Sequence, residues 1–141
     1  MLRGVKKMSD SNSTNFKTGH VIKIDLPEDY VEDESRTGSI TKYCVPLIPD
    51  FASENPNWNN GTTNVLLATS KSYMKDISAC VYIPKTEYDF FTKDSYIICS
   101  KPYPIPNQVL KSGNIKGSLT EEHMFEVKKA TSIGLGLYDL E

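Results

Sequence analysis

The sequence is poor in arginine, histidine and cysteine, and each shortage argues against a kind of site. Arg3 and Arg36 are the only arginines among 141 residues, and His20 and His123 are the only histidines. Two isolated histidines argue against a histidine-based triad or metal centre, so we expect both on the surface. The three cysteines are far apart and form no CxxC pair, which argues against a disulfide framework or a zinc site. We therefore expect reduced core thiols, no metal and no cofactor.

Long apolar runs and an excess of positive charge are also missing. No apolar segment approaches the roughly 18 residues that a membrane helix needs, and residues 1–16 lack the apolar middle of a signal peptide. We therefore expect a cytoplasmic protein with no membrane partner. The net charge is −2 and the pI about 5.7, which is not the footprint of a protein that binds duplex DNA. Any basic groove would have to be built almost entirely from lysine.

Two segments are predicted to lie outside regular structure. Residues 1–16 carry few apolar groups and many serines and asparagines, so we expect a disordered tail. Residues 17–141 have the length of a single domain. Within them, residues 28–39 (EDYVEDESRTGS) hold five carboxylates and Arg36, which is typical of a solvated loop. The alternative is a flexible flap beside a binding groove.

Short β-branched or apolar runs predict a mainly β (α+β) fold. Pro46 interrupts the second run and indicates a sheet edge or a bulge, and the prolines at 102, 104 and 106 are expected to break any ladder. A helix is predicted after Thr120, a suitable N-cap, with Leu119 and Met124 at the spacing of a hydrophobic staple. Several short strands closed by one helix suggest a small, partly open β-barrel. The predicted strands are residues 19–26, 43–48, 64–71, 79–83 and 95–99.

The central run, residues 64–71 (NVLLATSK), ends abruptly in polar side chains. This pattern predicts a buried strand that follows a turn at residues 59–61. A strand end holds side chains rigidly while leaving them reachable, so Thr69, Ser70 and Lys71 are candidate site residues. The alternative is that they only leave the core and meet water.

Three blocks of the sequence resemble the MazF/PemK family of toxin ribonucleases. Residues 115–137 (IKGSLTEEHMFEVKKATSIGLGL) are similar to the family's barrel-to-helix ending, residues 59–70 to its turn, apolar strand and Thr-Ser pair, and residues 93–97 (KDSYI) to a third block. The resemblance implies an SH3-like barrel of the MazF/PemK/CcdB kind with a C-terminal helix. It also implies a homodimer, an antitoxin partner, and metal-independent cleavage of single-stranded RNA by attack of the ribose 2′-OH on the adjacent phosphate.

The family's catalytic pattern is matched only in part. In the family, an arginine just before the proline of the second strand carries the positive charge, and a threonine at the end of the next strand supports it. Thr69 matches the threonine, whereas Val45 falls where the arginine belongs, which implies an impaired endoribonuclease. Another cation would have to supply the charge, and the candidates are Arg36, Lys42, Lys71 and Lys101.

A second interpretation stays open, in which the barrel is catalytically inactive and binds a nucleotide, RNA or a protein partner. Tyrosines among lysines suit base stacking together with phosphate neutralisation. The tyrosines could equally only fill the mouth of the barrel. The candidate binding residues are Ser70, Lys71, Lys42, Tyr43, Lys101 and Tyr103.

Overall fold

The computed structural model describes residues 17–26, 40–49, 52, 58–76 and 79–137. The predicted tail, the acidic loop and its Arg36 lie outside these residues. The described elements are seven strands, two α-helices and two short 3-10 turns at Ser72–Asp76 and Lys85–Glu87. The strands are His20–Leu26 (β1), Ile40–Pro46 (β2), Thr62–Thr69 (β3), Cys80–Ile83 (β4), Ser95–Ile98 (β5), Tyr103–Pro106 (β6) and Asn114–Ser118 (β7). The helices are Asn107–Lys111 (α1) and Glu121–Gly134 (α2).

The strands form one antiparallel sheet that curls into a half-barrel, in the order β4-β5-β3-β2-β1-β7, with β6 pairing to β3. β3 is its centre because it bonds to three strands. Val65 to Leu67 pair with β2, residues 62–65 pair with β6, and Ala68 and Thr69 pair with β5. The expectation of a small β-barrel with one C-terminal helix is confirmed.

Both faces of this sheet are buried over part of their area, which explains the nearly continuous apolar runs of β1 and β3. Val21 and Leu66 face a first core cluster, whereas their neighbours Ile22 and Val65 face a second. The first cluster holds Val21, Val45, Leu66, Ala68, Val81, Ile83, Tyr88, Phe91, Ile97, Cys99, Leu119, Met124 and Val127. The second holds Ile22, Ile24, Leu26, Cys44, Val65, Ile105 and Leu110.

Two predictions about proline are wrong. β2 lies between β1 and β3 rather than at an edge, and Pro46 is its last residue. The segment with Pro104 and Pro106 forms β6 instead of breaking the ladder. The N–H groups of residues two apart point to the same edge of a strand. Pro104 and Pro106, which have no N–H, therefore both present this position to the edge that faces away from β3. Asn107 belongs to the alternate residues, whose N–H groups point toward β3, and it donates its N–H to the Gly61 carbonyl at 2.9 Å.

The C-terminal helix begins as predicted. The Thr120 hydroxyl accepts a hydrogen bond from the His123 N–H at 3.1 Å, which caps the helix. Leu119 and Met124 are both buried and join the first core cluster, as a hydrophobic staple requires. Val127 is fully buried one turn later, so α2 covers this cluster. No described helix has the length and apolar character needed to cross a membrane.

His123 is not the surface residue that the sequence predicted. Its side chain is 12% exposed, and its Nδ1 lies 2.6 Å from the Tyr88 hydroxyl. That hydroxyl also accepts the Thr120 N–H at 2.9 Å, while His123 Nε2 lies 3.7 Å from a Glu87 carboxylate oxygen. This network ties the start of α2 to the segment that follows β4.

The cysteines are all free thiols. Cys44 and Cys99 are completely buried, as expected of core residues, whereas Cys80 is half-buried at the start of β4. Burial raises the pKa of Cys44 to about 12 and that of Cys99 to about 11. Both buried thiols are therefore protonated at neutral pH and poorly reactive.

Candidate active site

A groove of about 630 Å³ opens at one end of the half-barrel. It lies where β2 begins, where β3 ends, and where the segment before β5 passes over them. We call it the polar groove, and it is lined by Thr41, Lys42, Tyr43, Ala68, Thr69, Ser70, Lys71, Phe91, Thr92, Lys93 and Ser95.

The end of β3 explains why the polar side chains collect here. Ala68 is still buried in the first core cluster, and Thr69 is the last residue of the strand. The Thr69 hydroxyl accepts the Lys71 N–H at 3.1 Å, a local turn that competes with continued pairing. Ser70 and Lys71 are consequently exposed at the rim.

The register of β2 and β3 sets Lys42 against Thr69. The bonded pairs run from Pro46 with Val65 to Cys44 with Leu67. Continued by two residues, the same register brings Lys42 opposite Thr69, and both residues line the polar groove. Directly opposite residues share one face and have Cβ atoms about 5 Å apart. A cation and a hydroxyl on two central strands therefore both line the groove, just beyond the last bonded pair of this ladder.

Aromatic packing fixes the other wall. The Tyr43 hydroxyl donates to the Phe90 carbonyl at 3.0 Å, and its ring centroid lies 5.1 Å from that of Phe91. Phe91 is buried in the first core cluster. These contacts hold the segment that carries Thr92 and Lys93 over the groove, so Tyr43 is part of its framework.

The charged side chains in the described lining of the polar groove are lysines. Lys42, Lys71 and Lys93 line it, and among the described lining residues there is no aspartate, glutamate or histidine. Among the described residues, Asp25 adjoins the lining, because its carboxylate accepts the Thr41 hydroxyl at 2.7 Å. Such a site suits an anion such as a phosphodiester. Within the described part of the chain, no three histidine, cysteine or acidic side chains are grouped so as to hold a metal ion.

Solved structures share this architecture. A MazE–MazF complex from Deinococcus radiodurans (form III) is 14% identical over 86% of this chain and 97% of its own, with a TM-score of 0.58. A second form of the complex is 12% identical over 86% and 96%, with a TM-score of 0.60. MazF from the same organism is 14% identical over 85% and 96%, with a TM-score of 0.56. The chain has a MazF-like fold. No protein-family model and no curated protein matches the sequence.

The MazF-like barrel brings five of the sequence-predicted site residues together in the polar groove. They are Lys42, Tyr43, Thr69, Ser70 and Lys71.

Two other predicted residues do not line the polar groove. Tyr103, on β6, pairs with Val65 of β3 and packs against the second core cluster. Lys101 is exposed just before β6. Arg36 lies outside the described residues.

Position 45, where the sequence comparison placed the family arginine, is remote from solvent. Val45 is completely buried in the first core cluster and pairs with Leu66. The positively charged β2 residue that lines the polar groove is Lys42, three positions earlier.

Sequence reasoning missed several lining residues, of which Lys93 carries charge. It begins residues 93–97, a block that indicated the fold but not the site. Its place in that block was the one signal for it, because nothing in its local pattern reveals that the segment folds over the end of β3.

Proposed function

We propose that this MazF-like chain is a toxin-type endoribonuclease that cleaves single-stranded RNA without a metal ion, with the polar groove as its active site. The observation that carries the proposal is that Lys42 on β2 and Thr69 at the end of β3 line one groove, together with Lys71 and Lys93. A lysine-lined groove at the end of a rigid sheet matches a phosphodiester in charge, and its strands hold the side chains in place.

The reaction begins with attack of a ribose 2′-oxygen on the adjacent phosphorus. A P–O bond to that oxygen forms as the P–O bond to the 5′-oxygen breaks, which leaves a 2′,3′-cyclic phosphate and a free 5′-OH. One proton leaves the 2′-OH and one is delivered to the departing oxygen. Negative charge grows on the phosphorane between these events, so positive groups fixed around it lower the barrier.

In this proposal, Lys42 has the role that the arginine has in the family. Its position on β2 beside Thr69 supports that assignment, whereas the buried Val45 would have no access to a phosphate. Lysine neutralises a phosphate as a point charge but lacks the planar fork of arginine. We therefore expect a slow enzyme rather than an inactive one.

The remaining roles are assigned by chemical type. Thr69 positions a non-bridging phosphate oxygen, and Lys93, on the segment that covers the groove, donates the proton to the leaving 5′-oxygen. Removal of the 2′ proton falls to Asp25, which adjoins the lining through its 2.7 Å hydrogen bond with Thr41.

The partners follow from the same proposal. Two of the structural neighbours are MazE–MazF complexes, which supports an antitoxin partner for this chain. We propose that its antitoxin places an acidic segment in the lysine-lined groove. We also propose that the protein works as a cytoplasmic homodimer, as the family resemblance implies.

The test is incubation of the purified protein with a long single-stranded RNA in EDTA, beside a Thr69→Ala variant. The proposal expects fragments with cyclic phosphate ends and a free 5′-OH, and their loss in the variant. If the wild-type protein produces no fragments at high concentration, the endoribonuclease is refuted. The inactive barrel that binds a nucleotide, RNA or a protein partner then takes its place.

A further inference from the structure

Two tyrosines continue the row of side chains that begins with Thr69. Thr69 pairs with Tyr96 on β5, and Tyr96 pairs with Tyr82 on β4. Directly paired residues of antiparallel strands point to the same face of a sheet. The row Thr69, Tyr96 and Tyr82 therefore crosses three neighbouring strands on one face, from the polar groove, which Lys42 also lines, to the edge of the sheet.

The core does not require aromatic residues at these two positions. On β4, Val81 and Ile83 supply the buried side chains, and on β5 Ile97 does. Tyr82, by contrast, is 48% exposed, and Tyr96 is half-buried beside it. Outward positions on an edge strand are often charged, so the exposed Tyr82 on edge strand β4, paired with Tyr96 on β5, needs an explanation.

The two rings are arranged as a surface for flat ligands. Their centroids lie 5.4 Å apart with an interplanar angle of 41°. Partial desolvation raises the pKa of Tyr82, and the nearby Asp94 carboxylate adds to the shift. That carboxylate accepts the Lys85 N–H at 2.9 Å, which holds it near the end of β4.

The spacing of the row matches a nucleic acid strand better than a mononucleotide. Adjacent strands lie about 4.8 Å apart, which places Tyr96 about 5 Å and Tyr82 about 10 Å from Thr69 along the row. A phosphate beside Lys42 and Thr69 thus has an aromatic face on the neighbouring strand and another on the strand beyond. Stacking of bases on aromatic side chains beside a basic groove is how single-stranded nucleic acids are bound.

We propose that Tyr96 and Tyr82 form a stacking platform for the bases of single-stranded RNA that flank the phosphate in the polar groove. The platform rests on the proposed function, because it needs the phosphate to lie beside Lys42 and Thr69. Every base has a π-face, so the platform binds bases with little sequence preference and directs the strand toward β4.

The experiment measures binding rather than cleavage. Fluorescence anisotropy of a labelled 2′-O-methyl hexanucleotide, which has no 2′-OH to attack, is compared with that of an abasic backbone of the same length. We expect Tyr82→Leu and Tyr96→Leu each to weaken binding of the hexanucleotide about tenfold and to leave the abasic backbone unaffected. Tyr82→Phe keeps the ring and should bind like the wild type.

The matched control is Phe125→Leu, since Phe125 is an aromatic side chain that is 69% exposed on α2, away from the row. It should change neither affinity. Equal affinity of the wild-type protein for the hexanucleotide and the abasic backbone would overturn the platform, even if RNA is cleaved. Equal losses on both ligands in Tyr82→Leu would also overturn it. Ring-dependent binding without any cleavage would support the platform while refuting the endoribonuclease.

Discussion

Replacing Lys42 tests the proposed active site most directly. Lys42→Met keeps the length and apolar stem of the side chain and removes only its charge. The side chain is half-buried on β2 and stands beside Thr69 on β3, so the strands that flank it should remain paired. Lys42→Arg restores the charge and adds the planar fork that binds two phosphate oxygens at once.

The magnitude follows from the charge that develops in the transition state. The phosphorane carries about one more negative charge than the starting diester, and a side chain on the neighbouring strand can place its ammonium about 5 Å away. At an effective dielectric constant of about 20, the added attraction is about 3 kcal/mol. Its loss in Lys42→Met should slow cleavage roughly 200-fold. Lys42→Arg should be several times faster than the wild type.

The assay is the initial rate of cleavage of a fluorogenic single-stranded RNA in EDTA, with kcat and KM determined separately. Lys111→Met is the matched control because Lys111 is exposed on α1 and does not line the polar groove. Thermal unfolding of each variant checks that the fold is retained. A Lys42→Met variant that keeps half of the wild-type kcat/KM, while Thr69→Ala is inactive, would refute the role given to Lys42.

Three further predictions follow. Asp25→Asn should lower kcat at least tenfold with little change in KM if its carboxylate removes the 2′ proton, and an unchanged kcat would dismiss that role. Tyr88→Phe leaves the Thr120 N–H without its 2.9 Å partner and should cost about 1–3 kcal/mol of unfolding free energy in urea; no loss would show that water replaces the hydroxyl. Because burial raises the pKa of Cys44 to about 12 and that of Cys99 to about 11, the folded thiols keep protons that unfolded thiols lose above about pH 9. The contribution of these thiols to the free energy of unfolding should therefore be fully present below about pH 9, and the free energy should be about 1 kcal/mol lower per thiol at pH 10. Alanine at both positions should abolish this part of the decline.

Local patterns were sufficient for much of the fold. The apolar runs placed the five predicted strands, because burial of alternate or consecutive side chains leaves a periodic trace in the sequence. The Thr120 cap and the pairing of Leu119 with Met124 located the start of α2, since these interactions join residues within a few positions. The same kind of signal placed Thr69 at the end of the central strand.

Local sequence patterns could not predict features that depend on pairing between distant segments. Three prolines predicted a broken ladder, yet β6 pairs with β3 through the edge that keeps its donors. His123 gave no local sign of burial, because its partner Tyr88 lies 35 positions earlier in the chain. In both cases the deciding neighbour comes from a distant segment.

The sequence by itself determined a small β-barrel closed by a C-terminal helix and the polar ending of its central strand, because periodicity and capping are local. Only the tertiary structure decided which side chains share the polar groove. The register of β2 against β3 pairs Val45 with Leu66 in the core, while Lys42 and Thr69 both line the groove, since a side chain's face depends on which residue it opposes. The path of the segment before β5 brings Lys93 to the groove, and the pairing of β6 holds Tyr103 against the second core cluster. Register and chain path are fixed by packing between distant segments, and no single stretch of sequence records them.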